Sequence, residues 1–142
     1  MAFTQNKEPT FPYQPNVGSV AVTAAETTAL QTVYTAGANG SKILGIIITS
    51  NDTSNRDIEI NRVTVAPVTY QLYTVPVPLT AGTAAGVAAV NGMDPTYAKG
   101  LPVDNDGNPF IYLGIGDTLQ VNALATLTGG KAFNVTVFAS DF

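Results

Sequence analysis

The sequence predicts an all-β domain, a sandwich or barrel of short strands, behind an extended N-terminal arm. Two observations carry that expectation. Val, Ile and Thr supply 42 of the 142 residues, and β-branched side chains fit a pleated surface better than a helix. Thirteen Gly and nine Pro cut these residues into short runs, the punctuation of many-stranded β folds. The length suits one domain, divided here into an arm over residues 1–18 and a β domain over residues 19–142.

The arm places Phe3, Phe11, Tyr13 and Val17 among Pro9, Pro12 and Pro15. Proline fixes φ and keeps its predecessor extended, so this stretch forms no core of its own. Two readings stand: a frayed terminus, or an arm that docks its aromatic side chains on a neighbouring protein. Phe3, Phe11, Tyr13 and Val17 are the candidate protein-binding residues.

The β domain opens with a short strand at Val20–Thr23. Residues 30–35 alternate, with Leu30, Thr32 and Tyr34 set against Gln31, Val33 and Thr35. Ala36–Ser41 is a turn, since Asn39-Gly40 readily adopts positive φ. The near-continuous apolar run Ile43, Leu44, Ile46, Ile47, Ile48 predicts a strand buried on both faces, or a core-central strand. Arg56–Val65 and Val68–Val75 alternate again. Thr80–Asn91, rich in Ala and Gly, is a short helix or a loosely packed strand. Residues 92–117 hold one plausible strand, Phe110–Leu113. Thr118–Thr126 and Lys131–Ala139 are strong strands, and Thr128-Gly129-Gly130 between them predicts a hairpin.

The composition narrows the function. Histidine and cysteine are absent, which excludes triads and metal sites built on them. Charged residues make up 11%, against ~25% in typical proteins. The surface is then largely Thr, Asn, Ser, Gln and Gly, a neutral hydrogen-bonding cover suited to lying against another protein. Six scattered Lys and Arg form no basic stripe, so nucleic acid is not an expected partner. No apolar run reaches the ~20 residues of a membrane helix, and no export signal opens the chain. We expect no membrane partner and no secretory export.

The remaining motifs have plainer readings. Asp104-Asn105-Asp106-Gly107-Asn108 offers oxygens for calcium, but Gly107 comes too early for the EF-hand loop and Ile115 replaces the closing acid. A turn is the stronger reading. Glu26, Asp52, Asp57 and Glu59 lie in turns or at outward strand positions, which favours solvated carboxylates over a glycosidase pair. Gly37–Lys42 lacks the phosphate-loop spacing. Tyr13, Tyr34, Tyr70, Tyr73, Tyr97 and Tyr112 suit a core margin or protein interface better than sugar stacking. No enzyme, cofactor or metal is expected.

Three stretches carry a resemblance: Tyr34–Ser54 (YTAGANGSKILGIIITSNDTS), Gly100–Leu113 (GLPVDNDGNPFIYL) and Gly116–Leu124 (GDTLQVNAL). With the terminal strand through Phe138 and Phe142, the chain from Leu30 onward resembles the small capsid decoration (cement) proteins of tailed bacteriophages. The resemblance implies a single antiparallel β-sandwich, jelly-roll-like. It further implies a structural virion protein, made in the host cytoplasm, that binds the outer capsid surface and bridges capsid subunits. Its partners would be the major capsid protein and itself, as homodimer or homotrimer. The alternative is a receptor- or carbohydrate-binding module of a phage fibre or adhesin.

Overall fold

The computed structural model describes residues 14–142. Nine strands run through them: β1 (Gln14–Thr23), β2 (Gln31–Thr35), β3 (Ser41–Ser50), β4 (Arg56–Val63), β5 (Thr69–Val77), β6 (Val90–Asn91), β7 (Ile111–Leu113), β8 (Thr118–Ala123) and β9 (Ala132–Asp141). Every ladder is antiparallel. One sheet runs β1-β9-β3, with the far edge of β3 shared between β7 and β6; the other runs β2-β8-β4-β5.

The pairing has a single logic. β1 pairs with β9, β2 with β8, β3 with β7 and β6, and β4 with β5. The chain is therefore one long hairpin, bent back at the β4–β5 turn, whose successive rungs alternate between two sheets. That topology is a jelly roll. The expected antiparallel sandwich is what forms.

Period-2 alternation builds the core between the sheets. β9 points Phe133, Val135, Val137 and Ala139 inward, β3 adds Ile43, Ile46 and Ile48, and β4 and β8 answer with Ile58, Ile60, Leu119 and Val121. Tyr73 also turns inward, and its hydroxyl donates to the Gly92 carbonyl at 2.8 Å. Burial pushes that hydroxyl's pKa far above the usual tyrosine range.

Several expectations change. β1 begins at Gln14, so residues 14–18, assigned to the arm, form the first half of a strand. Pro15 fits there because β1 is an edge strand, where proline is tolerated. Residues 80–91 form neither helix nor a long strand; turns fill the stretch, with only Val90–Asn91 in β6. A bulge between Thr32 and Tyr34 buries both Val33 and Tyr34, so the simple alternation of β2 fails. Most consequentially, β8 and β9 are not a hairpin. They lie in different sheets, and the Thr128–Gly130 turn sits on the crossing between them.

That crossing is tied by a buried carboxylate. Asp52 is fully buried and accepts from the Thr128 amide (3.0 Å), the Thr128 hydroxyl (2.8 Å), the Ser54 amide (3.0 Å) and Arg56 Nε (3.1 Å). The expectation of a solvated acid does not hold at this position. Beside it the Ala132 amide donates to the Asn51 side chain at 2.8 Å, which starts β9 against the end of β3.

Candidate protein-docking face

The two sheets present opposite outer faces. Outward positions on β4 and β8 carry Asp57, Glu59 and Gln120, while β5 of the same sheet exposes Tyr70 and Leu72. Outward positions on β1, β9 and β3 carry Val17, Phe138, Leu44 and Ile47, which are 57%, 42%, 51% and 44% exposed. Lys42 is the charged residue among the outward positions of β3. Tyr112 extends the same surface from β7, opposite Lys42. Clustered apolar exposure of this kind marks an interaction surface, whereas isolated exposed side chains do not.

Local register makes this face. In β3 a bulge between Ile43 and Gly45 resets the alternation. Leu44, the inserted residue, is expelled to solvent, and Ile47 follows outward while Ile46 and Ile48 stay in the core. Of the two readings of this run, the central strand holds, since β3 lies between β9 and β6/β7, but it is buried on one face only. Across the ladders Val17 faces Phe138, which faces Gly45; Ser19 faces Thr136, which faces Ile47. The Ser19 and Thr136 hydroxyls are hydrogen-bonded at 3.1 Å.

Gly45 leaves a gap in this surface. A Cβ there would meet only the Phe138 ring, at 3.8 Å. Two open depressions adjoin it. One, about 360 Å³, is walled by Lys42, Leu44, Met93 and Phe110; the other, about 340 Å³, by Ile47, Ala89, Val90 and Phe138. Both include Gly45 and Asn91, so together they form one groove. Lys42 Nζ rests 4.2 Å above the Phe110 ring, a cation–π contact. Phe110 meets Tyr112 edge-on at 4.8 Å, and Tyr112 lies 6.2 Å from the Phe142 ring.

The carboxylates that border this face hold structure. Asp104 Oδ1 accepts from the Asp106 and Asn108 amides, both at 2.9 Å, closing the turn in which Gly107 has φ 85°. The Asn108 amide bond leads the effects that lower the Asp104 pKa. Asp141 accepts from Asn16 Nδ2 (3.1 Å), Ser41 Oγ (2.5 Å) and the Tyr34 hydroxyl, and so ties β1, β2 and β3 to the end of β9. Burial raises its pKa, but the bonds from Ser41, Tyr34 and Asn16 outweigh that and hold it below the usual range. Asp117 takes Arg62 at 2.7 Å and the Gly114 amide at 3.1 Å.

Of the residues singled out from sequence, Val17 lies on this face; Phe3, Phe11 and Tyr13 fall outside the described residues. Among the described residues the tyrosines do not converge on a cleft. Tyr34 and Tyr73 are buried, whereas Tyr70 belongs to β5 of one sheet and Tyr112 to β7 of the other. Leu44, Ile47 and Phe138 were not anticipated as surface residues. For Phe138 the signal was present, since the inward set of Phe133, Val135, Val137 and Ala139 leaves it facing out.

No family model matches the chain, and no curated protein matches it. Among solved structures it is similar to a chain of the cyanophage Pam1 capsid asymmetric unit. The identity is 17% over 92% of this chain and 85% of that one, with a TM-score of 0.47. It is also similar to Drosophila NLP-core, whose structure is described for pentamer formation and histone binding. There the identity is 11%, over 91% and 98% of the two chains, with a TM-score of 0.46.

Proposed function

We propose that this protein is a structural virion component that adheres to the outer surface of a phage capsid and bridges its subunits. The observation that carries the reading is the set of exposed apolar side chains Val17, Leu44, Ile47 and Phe138 on the outer face of the β1-β9-β3 sheet. Such a face favours protein contact. The sequence resemblance to capsid decoration proteins supplies the class of partner, the major capsid protein and further copies of this chain. A repeating shell multiplies modest contacts through avidity, so no single contact must be strong. The protein works by adhesion and not by turnover, a reading supported by Asp52, Asp104, Asp117 and Asp141, all occupied with structural hydrogen bonds.

The test is co-sedimentation of purified protein with capsids that lack it. The double variant Ile47→Asp, Phe138→Asp is expected to stay folded and to lose capsid binding. Undiminished binding by the folded variant overturns the proposal.

A further inference from the structure

We propose that the pocket between β6 and β7 is a binding site for a neutral saccharide. The inference goes beyond adhesion to a capsid and does not depend on it.

The strand pairing makes the pocket. β7 pairs with Ser41–Ile43 of β3 and β6 with Ile47–Ile48, so the edge of β3 at Leu44-Gly45 has no partner strand. The depression of about 360 Å³ lies at this gap, lined from β3, from the end of β6 and from the loop that leads into β7. Ligand sites run from about 300 to 1,000 Å³, so a single sugar ring is the scale that fits.

Its polar groups are placed but not used up. Asn91 Oδ1 accepts from the Met93 amide at 2.9 Å, which fixes the orientation of the side-chain amide and leaves Nδ2 as a donor. Asn108 Nδ2 donates to Asp104 Oδ2 at 3.4 Å. That fixes the second amide, leaves its Oδ1 as an acceptor, and gives Asp104 Oδ2 only one long bond. Lys42 and Asp104 line the same pocket without forming an ion pair. Among the described residues the Lys42 ammonium has no hydrogen-bond partner; it rests on the Phe110 ring.

The pocket therefore offers two donors, Lys42 and Asn91, and two acceptors, Asp104 and Asn108, beside the apolar Leu44 and Phe110. An anion is opposed by Asp104 and a cation by Lys42, so neither net charge suits the site. A hydroxyl donates one hydrogen bond and accepts two. Adjacent sugar hydroxyls serve both kinds of partner, while the C–H surface of the ring packs on the apolar wall. A zwitterion also carries both signs, but ion pairs at so open a site are worth little. A neutral sugar uses the same groups without stripping water from two charges of its own.

NMR titration of the isotopically labelled full chain tests this, with methyl glycosides of glucose, galactose and mannose and with N-acetylglucosamine. At least one sugar is expected to give saturable shifts at the Asn91 and Asn108 side-chain amides and in residues 42–45. The dissociation constant should be about 1–10 mM, the range for so small a ligand. Lys42→Met keeps the stem and removes the donor; Gly45→Gln fills the pocket. Each should abolish the shifts while the β8 amides, in the other sheet, hold their positions and report an intact fold. The proposal is overturned by no saturable shift with any of the four sugars, by shifts confined to other residues, or by shifts that survive in either folded variant. An equal response to acetate or to alanine also overturns it, since the pocket would then select charge and not hydroxyls.

Discussion

Gly45 stands directly opposite Phe138 in the β3–β9 ladder, and the missing side chain is what opens the groove. The glycine is not demanded by the backbone, because its φ is not positive. Nor is it demanded by packing, since an added Cβ meets the Phe138 ring at ordinary contact distance. Gly45→Ala is therefore expected to raise stability by about 0.4–1 kcal/mol through the unfolded chain. A shift in the urea midpoint reads this directly; a loss of stability would show that the backbone here needs glycine.

Two adjacent isoleucines separate fold from surface. Ile46 is 1% exposed and Ile47 is 44% exposed. Ile46→Ala should cost about 2–5 kcal/mol by leaving a core cavity. Ile47→Asp should cost about 1 kcal/mol or less, the span of strand preference, and should act on binding instead. Chemical unfolding of both variants, alongside capsid co-sedimentation, checks the split. Equal destabilisation would mean that the outer face is part of the core.

Gly18 is a different case. A Cβ on it would lie 2.2 Å from the Val33 carbonyl oxygen, where the bulge of β2 presses against β1. Backbone cannot yield as a flexible side chain does. Gly18→Ala is expected to destabilise by about 1–3 kcal/mol, the usual range for overpacking, and to loosen β1 first. Amide exchange across residues 14–23 should rise before that of β9.

What was legible in the sequence follows the range of the forces involved. Strand identity is local, and β-branched alternation placed most strands near their observed ends; the inward set of β9 was correct throughout. Pairing is not local. Gly129-Gly130 has good turn chemistry, but nothing nearby in sequence shows that Asp52 and Asn51 clamp Thr128 and Ala132 from the opposite end of β3. Those long-range bonds turn an apparent hairpin into a crossing between sheets. The docking face was hidden for a related reason. The run from Ile43 to Ile48 has the composition of a doubly buried strand, and only the bulge at Gly45 shows that half of it faces out.

Acid should expose the role of Asp52. Burial alone would raise its pKa, yet the Thr128 amide and hydroxyl, Arg56 and the Ser54 amide outweigh it, lowering the value from 3.8 to about 2. A folded pKa below the unfolded one means stability that is present above the unfolded value and is lost as pH falls through the folded one. The magnitude is about 2–3 kcal/mol, and Asp141 shifts in the same direction. Unfolding free energy should therefore hold steady from pH ~7 to ~5 and fall steeply between pH ~4 and ~2. Asp52→Asn keeps an acceptor but no charge, so it should be less stable at neutral pH and show a shallower acid limb. Urea midpoints for both proteins across that range decide the point; identical acid slopes would remove Asp52 from the account and leave the β8–β9 crossing without its clamp.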